Sequence, residues 1–256
     1  AIGFRIQNSW GRHWGEDGTA IWRYEDWADN VFDLWVTQIL TADRVSEASV
    51  LEVFENYVGL SREKVLEGLV NDFKPEFKVS LGIEETEKIA EYLIEKRLLL
   101  YEEMLKDEDL LSKQFCPYSL GLFRKLKEDG FTLVLATMSH LQQARQVTTM
   151  MGVYEKFDLV LTKDDVKEGK PSPEIYDLAR EKLGLTAKEC LVIEDSVNGI
   201  KAAQQAGMPV FAVTNDVTRK SVHNCNLLPA TFVVDRLTEL TARVYDFIQE
   251  SKSFGK

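Results

Sequence analysis

The chain has 256 residues, with 31 Lys and Arg against 42 Asp and Glu, a formal charge of −11. That balance argues against nucleic acid as a partner, because a phosphate backbone demands a basic face. At 45% hydrophobic and 29% charged residues the composition is that of a globular protein with a full core. No apolar run approaches the roughly 20 residues that span a bilayer, and the first residues hold no charged-then-apolar leader. No membrane association is expected, and a cytoplasmic location is. Cys116, Cys190 and Cys225 form no CxxC pair, so reduced core thiols are expected, not a disulfide framework or a zinc knuckle.

Trp10, Trp14, Trp22, Trp27 and Trp35 all fall in the first 35 residues, which sets that stretch apart from the rest. Within it, FRIQNSWGRHWGEDG (4–18) resembles the end of papain-like cysteine peptidases, where such a segment carries the Asn that orients the catalytic His. Asn8 would hold that place. Its role needs a Cys nucleophile and a His base ahead of it, and neither precedes it here. No peptidase chemistry is therefore expected, and the stretch is read as a Trp- and Gly-rich β-ribbon or as a foreign piece joined to another domain. Residues 1–40 are taken as this peptidase-tail-like segment, with a candidate first core strand near its end.

From Thr41 to about Leu111 the pattern is helical. Val45, Ala48, Leu51 and Val58 recur at helical spacing, and Ala90, Leu93, Ile94, Arg97, Tyr101 and Leu105 mark a long amphipathic helix. From Phe115 onward, β-type runs alternate with helical patterns. The runs are FTLVLAT (131–137), FDLVLT (157–162), ECLVIED (189–195), PVFAVT (209–214) and TFVVD (231–235). The helical stretches lie near 119–129, 140–151, 173–183 and 197–206. Gly130, Gly184 and Gly207 stand where left-handed C-terminal caps belong. Such alternation predicts an α/β fold, a parallel sheet with helices on both faces and ligands at the strand C-terminal ends.

The polar residues that end each apolar run carry the chemistry. VLA (134–136) leads to Thr137 and Ser139, LVL (159–161) leads to KEGKPSPEIY with Lys170, and LVI (191–193) ends in Glu194 and Asp195. A hydroxyl and an ammonium suit a phosphoryl group, and paired hard carboxylates suit Mg²⁺. The bland alternatives are a helix N-cap for Thr137, a solvated Lys170 and ordinary surface acids at 194 and 195.

LATMS (135–139), GKPSPEIY (169–176) and IEDSVNGIKAAQQAG (193–207) resemble, in order and spacing, the second, third and fourth motifs of the haloacid dehalogenase-like superfamily. The likeness is to its branch of small phosphatases and β-phosphoglucomutase-like enzymes. It implies a Rossmann-like core over 116–256, a helical cap over 41–115, and Mg²⁺ as cofactor. By it Thr137 and Lys170 hold the transferring phosphate, and Glu194 and Asp195 bind the metal. Ser139 is carried over as substrate-binding, Gly199 as the residue that lets the chain turn after the acidic pair, and Pro171 and Pro173 as stiffeners of the Lys170 loop. VGLSREKVLEGL (58–69) resembles the cap's specificity loop, so Arg62, and less directly Arg97, become cations gripping the substrate away from its reacting phosphate, with solvated helix charges as the alternative.

The first motif, FDxDG(T/V) in that superfamily, is altered. One register aligns FDLWVTQILTADRV (32–45), making Asp33 the nucleophile and third metal ligand, with Trp35 in place of the second Asp and Val36 in place of the Gly. A second uses GEDGT (15–19) and puts Gly15 at the nucleophile. A third possibility is that the motif is missing. Val45, where mutase-like members carry a His, disfavours mutase activity. The expected function is a Mg²⁺-dependent phosphohydrolase of a small phosphorylated metabolite, a sugar phosphate or similar monoester, acting through an aspartyl-phosphate as a monomer or weak homodimer. The alternatives are a catalytically silent phosphate-binding or interaction protein, and a peptidase tail fused to a truncated phosphatase.

Overall fold

The computed structural model describes residues 4–7, 19–22, 60, 62–104, 115–215 and 218–254. Contacts divide the chain into two compact units, Ala1–Val50 with Val70–Phe115, and Leu51–Leu69 with Cys116–Lys256.

In the Trp-rich stretch, β1 (Phe4–Gln7) and β2 (Thr19–Trp22) pair antiparallel, with Phe4 opposite Trp22 and Gln7 opposite Thr19. Two long helices come next, α1 (Arg62–Leu81) and α2 (Thr86–Met104). α1 is kinked at Phe73, two residues before Pro75, whose ring cannot share space with the preceding turn and whose nitrogen has no proton to donate. It buries Val65, Leu66, Leu69, Val70, Phe73 and Phe77, and α2 buries Ile89 and Leu93, so each presents one apolar stripe. The expected amphipathic helix around Ala90–Tyr101 is α2. Among the described residues no helix is long and apolar enough to cross a membrane.

The larger unit alternates strand and helix: α3 (Pro117–Glu128), β3 (Val134–Ala136), α4 (Leu141–Met150), β4 (Leu159–Leu161), α5 (Glu174–Leu183), β5 (Val192–Glu194), α6 (Val197–Gln205), β6 (Val210–Val213), α7 (Arg219–Asn224), β7 (Val233–Val234) and α8 (Leu240–Phe254). β3 pairs parallel with β4, Ala136 opposite Leu161. β5, β6 and β7 pair parallel in that order, with Glu194 opposite Ala212 and Ala212 opposite Val233.

Because strand side chains alternate, β6 serves two cores at once. Val210 and Ala212 pack with Ile175 and Ala179 of α5, Ile200 and Ala203 of α6 and Val222 of α7. Phe211 packs on the other side with Leu122 of α3 and with Leu240 and Val244 of α8. This places helices on both faces, as the alternation predicts. Gly130, Gly184 and Gly207 have φ of +82°, +66° and +71°, the left-handed caps read from sequence. The three cysteines are free, as expected, but each is only half-buried; Cys190 packs against the main core, so the expectation of core thiols holds only in part. Cys116 serves instead as the N-cap of α3, its Sγ accepting from the Ser119 N–H at 3.5 Å.

Candidate active site

Parallel strands deliver their C-terminal ends to one edge of a sheet, and the polar residues of this unit gather there. After β4 the chain runs through a loop that two carboxylates hold in shape. Asp165 Oδ2 accepts from the backbone N–H of Thr162 at 2.8 Å and from its hydroxyl at 2.9 Å. Glu174, in the first turn of α5, accepts from the N–H groups of Lys167 at 3.0 Å and Glu168 at 2.7 Å. The loop so fixed carries Lys170, which is 6% exposed and so not the solvated lysine of the bland alternative. Its Nζ donates to the carbonyl of Ala136, at the end of β3, at 3.1 Å and to Glu194 Oε1 at the end of β5. One ammonium thus joins two strand ends.

Glu194 is buried and receives hydrogen bonds on both oxygens. Oε1 accepts from Lys170 Nζ and from the Tyr176 hydroxyl, and Oε2 accepts from the Asp195 N–H and the Ser196 hydroxyl, each at 3.2 Å. Ser196 is also the N-cap of α6, its Oγ accepting from the Gly199 N–H at 3.0 Å. Gly199 is required for a reason other than the expected tight turn. It lies in the first turn of α6, where a Cβ would occupy the space filled by the Glu194 carboxylate.

Tyr176, the last residue of the GKPSPEIY stretch, is a site residue to which no role attaches from the sequence alone. It is 5% exposed on α5, with its ring centroid 5.1 Å from Lys170 Nζ. Burial, and then the charge of Glu194, push its pKa above that of an ordinary phenol, so its hydroxyl stays a donor. Asp195, next to Glu194, is exposed on one side while protein closes around the rest of it. That burial, with the Glu194 charge second, pushes its pKa up to about 6 against the pull of Lys170.

Thr137 comes directly after β3. Its N–H donates to the Leu161 carbonyl at 3.0 Å, continuing the ladder, and its Oγ1 accepts from the Ser139 N–H at 3.1 Å. It is not a helix N-cap; His140 holds that position for α4 without a side-chain capping bond. Asp164, from the loop after β4, does the capping. Its Oδ2 accepts from the Leu141 N–H at 2.8 Å and its Oδ1 meets His140 Nδ1 at 2.6 Å. Those two bonds hold the Asp164 carboxyl below its ordinary pKa. Ser139 is exposed, and its carbonyl accepts from the Lys163 N–H at 3.1 Å. Beside these loops lies a cavity of about 510 Å³, with Lys64, His140, Lys163 and Lys167 in its lining along with Asp164 and Glu168.

The structure therefore brings Lys170, Glu194 and Asp195 to one place and sets Thr137 one residue beyond the carbonyl that Lys170 holds. Asp33, Trp35, Val36, Val45 and the peptidase-like Asn8 lie outside the described residues, as does Asp17 of the alternative register. Arg62 opens α1 and Arg97 lies within α2, but their side chains are outside the described set.

The family profile of haloacid dehalogenase-like hydrolases matches residues 17–207. The chain belongs to that family. Among curated proteins it is 32% identical over 117 residues to hexitol phosphatase B of Escherichia coli (strain K12), covering 46% of this chain and 51% of that one. It is 36% identical over 83 residues to a phosphorylated carbohydrates phosphatase of Thermotoga maritima, covering 32% and 38%. The chain thus spans about half or less of the length of these relatives. Among solved structures, a β-phosphoglucomutase from Clostridium difficile superposes with a TM-score of 0.63 at 24% identity, covering 88% of this chain and 90% of that one, which establishes the fold.

Members of the haloacid dehalogenase-like family imply a Mg²⁺ ion, and the acidic pair fits one in part. Two hard carboxylates lie side by side; burial is the main cause of the raised Asp195 pKa, and the Glu194 charge that adds to it is a repulsion a cation would relieve. With four donors already on Glu194, direct ligation of such an ion would fall to Asp195. Among the described residues no group of three or more His, Cys, Asp or Glu side chains could hold a metal ion.

Proposed function

We propose that this chain is a Mg²⁺-dependent phosphohydrolase of small phosphorylated metabolites, a sugar phosphate or related monoester. The observation that carries the reading is the Lys170 ammonium, held between the Ala136 carbonyl and Glu194 with Asp195 alongside. The phosphatase names of the relatives support the substrate class. In this reading Asp33 attacks phosphorus, the P–O bond to the leaving alcohol breaks, and water then hydrolyses the aspartyl-phosphate to free Asp33 and inorganic phosphate. Thr137 and Lys170 donate to the phosphoryl oxygens, which is where positioning and charge neutralisation lower the barrier. Asp195, Asp33 and, in support, Glu194 would hold the Mg²⁺, which would supply neutralisation of the approaching negative charges. Ser139, Arg62 and Arg97 contact the remainder of the substrate.

Trp35, standing where the family's proton-shuttling Asp belongs, gives the second reading its force, a site that binds phosphate and turns over slowly. A panel of sugar and alditol phosphates, assayed with and without Mg²⁺, tests the first. Phosphate release should require the metal and disappear in Asp33→Asn. Trp35→Asp with Val36→Gly should raise it roughly 10²-fold or more, the usual worth of general acid–base help. Absence of release from both the native and the repaired chain, each still folded, would overturn the hydrolase reading. Asp195→Asn should weaken Mg²⁺ binding more than Glu194→Gln.

A further inference from the structure

The Lys170 ammonium has three protons. One goes to the Ala136 carbonyl and one to Glu194 Oε1, which leaves one for a ligand. How firmly the ammonium stays on Glu194 decides how well it serves that ligand, because the pair is buried and its attraction little screened. Glu194 Oε1 has two lone pairs, and the second is taken by Tyr176, a neutral donor.

We propose that Tyr176 is a positioning residue of the phosphate site: its buried hydroxyl shares Glu194 Oε1 with Lys170 and so limits how far the carboxylate draws the ammonium away from the phosphate. The inference rests on the phosphate-binding reading given above. Three features single out this tyrosine. Its hydroxyl meets the same carboxylate oxygen as the lysine. Its ring lies 5.1 Å from the same ammonium, so one side chain touches both members of the pair. The other carboxylate oxygen is fully occupied by the Asp195 N–H and the Ser196 hydroxyl, so a carboxylate released by Tyr176 has no second donor to turn to. Without the hydroxyl, one buried lone pair is unsatisfied and Lys170 alone can compensate it, by moving further onto Glu194.

Inorganic phosphate binding to the full chain, measured by calorimetry beside the urea midpoint of each variant, tests this. Tyr176→Phe keeps the ring and removes only the hydroxyl. It should weaken phosphate binding roughly three- to tenfold, the scale of the net worth of one hydrogen bond. Tyr176→Leu, which also removes the ring, should weaken it further. A fall in the urea midpoint with phosphate affinity unchanged would make Tyr176 a packing residue and overturn the proposal. Should the variants not fold, native protein labelled at tyrosine Cζ decides instead: phosphate must shift the Cζ signal of a buried tyrosine, and no shift at saturation overturns it. Failure of the native chain to bind phosphate at all would remove the underlying reading, and this one with it; phosphate binding that Tyr176→Phe leaves intact removes this one alone.

Discussion

Two clusters at the strand ends pair cations with carboxylates, at different depths. Around Glu194 the partners are Lys170, Tyr176 and Ser196, and the side chains of Glu194 and Lys170 are 6% and 8% exposed. Around Asp235, just past β7, the partners are Thr214 Oγ1 at 2.7 Å, His223 Nε2 at 3.0 Å and Arg219 Nε at 3.8 Å, and Asp235 leaves 41% of its side chain exposed. The bond inventories look alike, but water changes their worth. In the first cluster both oxygens of the carboxylate are met by donors, because an unmet group there is costly. In the second, solvent can replace any partner that leaves.

The largest difference should come from removing the cation. Lys170→Met strands a carboxylate in the interior, and urea unfolding should show a loss of about 3–5 kcal/mol, the range for breaking a buried pair by deleting one partner. Arg219→Ala should cost under about 1 kcal/mol. Equal losses would mean that depth does not govern the two clusters.

Gly199→Ala is a geometric test of the same site. Its added methyl needs the space of the Glu194 carboxylate, whose partners leave it nowhere to go. Overpacking of this kind typically costs about 1–3 kcal/mol, and phosphate binding should weaken with it. A stable, fully binding Gly199→Ala protein would show that the carboxylate is free to shift.

The strands are legible in the sequence because each is a short apolar run ending in polar residues, and the alternation with helices sets their parallel arrangement. The runs are longer than the strands: LVIED yields a strand only over Val192–Glu194. α8 is missing from the sequence pattern drawn above although Leu240, Val244, Phe247 and Ile248 carry its period, and α7, at six residues, is too short for periodicity to show. At the site, Glu194 and Asp195 are legible because charge at a strand end is a local signal, and Lys170 because it stands in the GKPSPEIY stretch. Tyr176 is not. On α5 it reads as one more core position beside Ile175 and Ala179, and nothing local says that its hydroxyl meets a carboxylate 18 residues away. Gly199 stands out in the sequence for the wrong reason, since the side chain that excludes a Cβ there comes from five positions earlier. Asp164 as the cap of α4 is invisible too, because capping signals are sought beside the helix and this one arrives from 23 residues downstream.

Asp164 occupies the middle of the comparison, exposed but with directed bonds. Asp164→Ala removes the acceptor for the Leu141 N–H and the partner of His140, and should lower stability by about 0.5–2 kcal/mol, the worth of an N-cap. Asp164→Asn, which keeps an acceptor oxygen, should recover part of that in the same urea experiment. Identical midpoints for the two variants would argue that charge, and not the hydrogen bond, is what α4 draws from this residue.

The smallest effect belongs to Asp235, and pH is the way to see it. Partial burial works to raise its pKa, but the Thr214 and His223 bonds, with the charges of His223 and Arg219, outweigh that and hold it below the ordinary value of 3.8. A carboxyl depressed in the folded state binds fewer protons there than in the unfolded chain, so its contribution is complete above the unfolded pKa and is lost as pH falls through the lower folded one. The stability difference between native protein and Asp235→Asn should therefore be fullest near about pH 5, where the imidazole charge is present, shrink below the ordinary value of 3.8 and stay under about 1 kcal/mol throughout. Added salt should reduce it further, because the Debye length is only about 3 Å at 1 M and the group faces water. A difference that survives 1 M salt and persists below that pH would mean that Thr214 and His223 hold Asp235 by geometry instead of charge, which would make the exposed cluster behave like the buried one.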